Sequence, residues 1–158
     1  MAGLDILKRG GNAIDAGVAV GLALNVVHAH ECNFLGVAPT IIYLADRREV
    51  VPIDGLGVWP QAASIEYFQQ HHGGKMPSGI LRALTPGAAD AWFTALAQHG
   101  TMRFADVVDA AIRLADDGFP TYRFFAAAVQ SDPEDYNRFP TNAAVFFPNG
   151  RRFLIWGH

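Results

Sequence analysis

The segment Gly10-Gly11-Asn12-Ala13-Ile14-Asp15-Ala16 constrains this chain more than any other. Two consecutive glycines end whatever helix precedes them, because glycine takes the left-handed conformation at a helix C-terminus without steric cost. Asn12 then starts a new helix: it is a favoured N-cap, and its side-chain oxygen accepts a bond from an unpaired backbone N–H. Asp15 stands three residues further on. There it can close a capping box and set its charge near the positive end of the helix dipole. Ala16–Val27 is apolar on nearly every face, which predicts a buried helix. Gly17 and Gly21 lie four apart on one face of it. Each costs about 1 kcal/mol relative to alanine, and the expected compensation is close packing against a sheet or another helix.

The flanking patterns extend this into a layered fold. Ala2–Arg9 reads as a short helix, with Leu4, Ile6 and Leu7 as its apolar residues. His28–Pro39 has no period and reads as a loop. Thr40–Ala45 and Glu49–Asp54, joined by Asp46-Arg47-Arg48, form a β-hairpin pattern. Gly55–Pro60 is a glycine-rich loop, and Ser64 caps a helix to His72 that should pack Ile65, Tyr67 and Phe68 inward. Ile80–Thr85 reads as a short strand. Helices follow at Ala88–Gln98, Phe104–Asp116 and Tyr122–Gln130, with Trp92, Phe93 and Phe104 expected in the core. Beyond Asp132-Pro133 the pattern decays, apart from a turn at Phe146–Gly150 and an apolar end at Phe153–Trp156. One hairpin cannot cover so many apolar helices. The expectation is therefore an α/β (α+β layered) chain, a single partial domain over 1–158 with no second domain, its sheet completed by sequence outside it.

Composition narrows the class. The chain has 158 residues, 51% hydrophobic and 17% charged. The charged share lies below the usual value of about a quarter, which implies a large core or apolar surface meant for a partner. A net charge of −3 with no basic tract argues against nucleic acid. The single cysteine, Cys32, excludes an intramolecular disulfide. Ala13–Val27 carries Asp15 and Asn25 and is too short for a membrane span. Met1 leads straight into a helix pattern without the basic and apolar regions of a signal peptide, which leaves cytoplasm and periplasm both open.

Taken together in order, these segments resemble the γ-glutamyltransferase family of N-terminal-nucleophile hydrolases, which includes glutathione hydrolases and related acylases. The resemblance is carried by Ala2–Leu7 with Gly10–Ala16, by Val26-Val27-His28-Ala29-His30 entering a loop, and by Ile41-Ile42-Tyr43. It continues through Thr85-Pro86-Gly87, through Ala110–Ile112 with Gly118-Phe119-Pro120, and through Phe147–Gly150. It implies an αββα sandwich and a precursor that cuts itself to expose an N-terminal threonine. That hydroxyl attacks a γ-glutamyl amide such as glutathione, its own α-amino group serves as base, and the acyl group passes to water or an amino acid. On this resemblance the chain corresponds to the front part of the large subunit. No threonine here sits in a nucleophile segment, no catalytic residue is assigned, and the chain alone is expected to be inactive. Its implied partners are the remainder of its own precursor and a small amide or peptide substrate, with no cofactor and no metal.

The resemblance also places a substrate-binding stretch at Asp54, Gly55, Leu56 and Gly57. In glutathione-type members an arginine here holds the substrate α-carboxylate. Leu56 takes that position, and leucine cannot replace a bidentate charged clamp. The loop Glu31–Pro39 keeps only Gly36 of the family's glycine run. Both departures point to an alternative: an amide hydrolase or acylase with a non-γ-glutamyl substrate, or a non-catalytic remnant. Gly55 and Gly57 would let backbone approach a ligand, though they serve a turn equally well. His28, His30, Glu31 and Cys32 are all zinc-ligand types, but without a second cluster at a standard spacing they read as a loop at a helix end, with histidine near the negative helix terminus. Cys32 as a nucleophile would need a base and an electropositive setting, so an inert thiol is the simpler reading.

Overall fold

The computed structural model describes residues 1–150, so the apolar end at Phe153–Trp156 lies outside the described residues. Helices α1 (Ala2–Lys8) and α2 (Ala13–Val27) are separated by Gly10, which takes φ 90°, and Gly11. Asn12 accepts from the N–H of Ile14 and of Asp15, while Asp15 accepts from the N–H of Asn12, closing the capping box. Strands β1 (Thr40–Leu44) and β2 (Glu49–Ile53) pair antiparallel with Ile42 opposite Val51. Then come α3 (Ile65–His72), α4 (Ala88–His99), α5 (Phe104–Asp116) and α6 (Arg123–Ser131). Two short helices, α7 (Pro133–Asn137) and α8 (Pro140–Phe146), occupy the stretch that showed no period. Each starts at a proline in its first turn, where the missing N–H has no partner to lose.

Helix α2 is the centre, packed against α1, α4 and α5. Ala19, Leu22, Leu96 and Val107 meet in one core with Ile42 of the hairpin. Phe125, Val129 and Phe147 form a second, smaller cluster.

Several expectations are corrected. Helix α2 is not buried all round: Ala13, Gly17, Val20 and Leu24 recur at helical spacing as an exposed stripe. Of its two glycines, only Gly21 is explained by close packing, since a Cβ there would lie 2.9 Å from the Trp92 ring, whereas one on Gly17 would meet nothing within 4 Å. Ile65 is 73% exposed, and of α3 only Tyr67, Phe68 and His72 are half-buried. Phe93 and Phe104 are both exposed and pack on each other, ring centroids 5.1 Å apart, leaving Leu96 and Val107 to fill the core. Ile80–Thr85 is not a strand: Ile80–Arg82 is a turn of 3-10 helix after Gly79 at φ 101°. Residues that read as β form a strand only where a neighbour offers its ladder. Among the described residues the sheet has two strands. Its inner face, with Ile42, meets the helices, and its outer face leaves Ile41 78%, Tyr43 62% and Val50 61% exposed.

Candidate functional site

Three loops meet beside the hairpin. The Gly36 carbonyl accepts from the N–H of Gly87 at 3.1 Å and of Ala88 at 3.0 Å. It thereby caps α4, whose N-cap Gly87 has no side chain to do so. The Gly55 carbonyl accepts from Ala38 N–H at 2.8 Å, and the Val58 carbonyl from Thr85 N–H at 2.9 Å. At Gly57, φ is 75° and a Cβ would collide with the Thr85 carbonyl oxygen. A Cβ on Gly87 would lie 2.6 Å from Gly57 N. The glycines at 55 and 57 therefore serve chain-to-chain packing with Ala38, Thr85 and Gly87.

Within the stretch 54–57 the side chains that remain on the surface are Asp54 and Leu56, the latter 44% exposed. Neither is cationic. An isobutyl group beside a carboxylate offers no pairing to a substrate carboxylate, and the aspartate repels one.

Two concavities lie near the junction. One, of about 550 Å³, is lined by Asn25 and Trp92 together with Glu31, Cys32, Gly36 and Arg82. Both polar atoms of the Asn25 amide are buried there without a hydrogen-bond partner. Arg82 donates to the Met76 carbonyl at 3.4 Å. The second, of about 240 Å³, is apolar, with Trp59, Phe68, Ile80 and Leu81 among its walls. The 3-10 turn at Ile80–Arg82 contributes to both. Asn25 and Arg82 carry no motif, so nothing in the linear sequence marks them.

At the C-terminal end of α2, His28, His30 and Glu31 come together, and Cys32 stays outside that group. His28 Nε2 lies 2.8 Å from the Glu31 carboxylate, and its Nδ1 bonds the Tyr122 hydroxyl. Burial, with help from His28, pushes the His30 pKa down, while Glu31 opposes it. Burial also pushes the Tyr122 phenol up, with Glu31 and then Cys32 adding to it. Tyr122 is 94 residues from His28, and sequence spacing cannot reveal such a partner.

The family model described as Gamma-glutamyltranspeptidase matches residues 1–156. The chain is similar to the Acylase ACY 1 proenzyme of Pseudomonas sp. (strain SE83), 36% identical over 160 residues, covering 95% of this chain and 28% of that protein. It is similar to the glutathione hydrolase proenzyme of Escherichia coli (strain K12), 38% identical over 121 residues, covering 74% of this chain and 21% of that protein. It thus spans about a quarter of the length of these curated relatives. Among solved structures, Helicobacter pylori gamma-glutamyltranspeptidase superposes with TM-score 0.89 at 30% identity, covering 99% of this chain and 46% of that one. The helices on one face of the hairpin are accordingly part of the αββα sandwich of N-terminal-nucleophile hydrolases, incomplete over this chain.

Proposed function

The chain belongs to the gamma-glutamyltranspeptidase family, and on that premise we propose that it is the front part of the large subunit of an amide hydrolase or acyltransferase. The reaction is attack of a threonine hydroxyl on an amide carbonyl, breaking the C–N bond and releasing the amine with the hydroxyl proton, followed by transfer of the acyl group from the threonine ester to water or another amine. The threonine comes from the remainder of the precursor. This chain contributes the α2–α4–α5 scaffold, as part of one domain, and the loop 54–57. By itself it is inactive.

Two readings of the acyl group compete. Likeness to glutathione hydrolases supports γ-glutamyl amides. Likeness to a protein named an acylase supports another acyl group. The observation that supports the second is the stretch 54–57 itself, whose exposed side chains are Asp54 and Leu56, neither of them a cation. A γ-glutamyl group brings an α-carboxylate that needs a positive, hydrogen-bonding partner, whereas an acyl group without that carboxylate needs none.

The scaffold role is tested by replacing the matching segment of the Acylase ACY 1 proenzyme with this chain and following self-cleavage of the precursor on a gel. Cleavage to two subunits is expected. A precursor that folds and stays intact contradicts the reading.

A further inference from the structure

Just past α2 the chain turns back on itself. The N–H groups of Glu31 and Cys32 both donate to the His28 carbonyl, at 3.1 and 2.9 Å. This turn brings one ligand-type atom from each of His28, His30 and Glu31 within 4.8 Å of one another. The His30 ring is walled by Phe125 at 5.0 Å and Phe124 at 5.3 Å and stands edge-on to His28 at 4.2 Å. Both of its ring nitrogens are buried with no hydrogen-bond partner. A buried polar atom left unpaired gives up its hydrogen bonds to water without replacement, so an imidazole with two such atoms calls for a ligand.

We propose that His28, His30 and Glu31 bind a divalent transition-metal cation, with Zn²⁺ the best match. Two imidazole nitrogens and one carboxylate oxygen are a zinc donor set, and imidazole disfavours Mg²⁺ and Ca²⁺. Ligand atoms around a tetrahedral zinc ion with bonds of about 2.0–2.2 Å stand about 3.3–3.6 Å apart. Closing from 4.8 Å is a movement of about 1–1.5 Å. The Glu31 side chain, 57% exposed, is free to make it.

His28 is already held for the task. With Nδ1 bonded to the Tyr122 hydroxyl, its Nε2 faces Glu31, and a partner on the far nitrogen is what fixes the tautomer and orientation of a ligating histidine. The negative end of the α2 dipole adds to the attraction for a cation. Three protein ligands leave a fourth position for water or another ligand. Glu31 also lines the 550 Å³ cavity, so the ion stands at its border, tied through Tyr122 to the start of α6.

The test is a titration of the full 158-residue chain with ZnCl₂ by calorimetry, and with CoCl₂ by visible absorption. One equivalent per chain is expected, with Co²⁺ giving the visible bands of a four- or five-coordinate site. Glu31→Gln, an exposed isostere that leaves the fold intact, and Tyr122→Phe, which removes the partner of His28, each weaken binding at least about tenfold. The control His71→Ala/His72→Ala/His158→Ala leaves it unchanged. The proposal is overturned if no equivalent binds, if Glu31→Gln and Tyr122→Phe both leave affinity unchanged, or if binding disappears in the control.

Discussion

The Asp15 carboxylate accepts the Thr101 hydroxyl at 2.6 Å, a bond that spans 86 residues of chain. Its other contacts are the N–H groups of Asn12 at 2.8 Å, Thr101 at 2.9 Å and Met102 at 3.1 Å. A residue that caps α2 thus also fastens the connection between α4 and α5 to it.

Asp15 is fully buried. Replacing it with asparagine keeps the shape but turns an amide NH₂ toward backbone donors. A loss of about 3 kcal/mol is expected, because hydrogen bonds to a charged group contribute about 1.5–3 kcal/mol and the orphaned donors add their desolvation. Thr101→Val, which removes one donor at an exposed residue, should cost about 1–2 kcal/mol. Chemical denaturation of the three proteins checks the order.

The same carboxylate sets an acid limb. Burial alone would raise its pKa. The Thr101 hydroxyl, then the N–H groups of Asn12, Met102 and Thr101, reverse that and hold it below the ordinary value. A carboxyl whose folded pKa is depressed contributes stability above its unfolded pKa, about 3.9. That stability is lost as pH falls through the folded value. The melting temperature should therefore drop below about pH 5 and do so less steeply in Asp15→Asn. Equal slopes in the two proteins contradict this.

Glycine positions that look alike in the sequence should respond oppositely. Gly17→Ala adds a methyl that meets nothing within 4 Å, and should stabilise by about 0.5–1 kcal/mol. Gly21→Ala drives a methyl to 2.9 Å from the Trp92 ring, and should cost about 1–3 kcal/mol. Gly57→Ala combines a left-handed backbone with a collision against the Thr85 carbonyl, and should cost about 2–4 kcal/mol. Melting curves of the three variants decide.

The exposed apolar surface predicts self-association of the chain on its own. Ile41, Tyr43 and Val50 on the outer face of the hairpin add to the stripe of Val20 and Leu24 on α2. Sedimentation should show concentration-dependent association that Ile41→Lys with Val50→Lys reduces. A monomer at all concentrations contradicts it.

Much of the fold is legible because it is local. Asn12, Asp15, Ser64 and the hairpin's alternation act over a few residues, and each element stands where its pattern lies. What is not legible depends on partners distant in sequence. Ile80–Thr85 has β-like composition but no ladder to join, and α7 and α8 are too short for a period to show. Phe93 and Phe104 have the composition of core residues yet lie on the surface together, since only the packing of α4 and α5 on α2 decides which stripes face in. At the candidate site, Gly55 and Gly57 are visible as glycines, but that they pack against Ala38 and Thr85 is not. Tyr122 beside His28 has no signature in the linear chain at all.

The most direct test of the central claim concerns Leu56. In a chimera, this chain replaces the matching segment of the Escherichia coli glutathione hydrolase proenzyme, and glutathione hydrolysis by the self-cleaved product is measured with and without Leu56→Arg. Loss of one charged partner to a bound carboxylate costs about 2–5 kcal/mol. The chimera should thus lose at least about thirtyfold in kcat/KM, and Leu56→Arg should recover most of it. Glutathione hydrolysis at the parent's rate, unchanged by Leu56→Arg, would contradict the account.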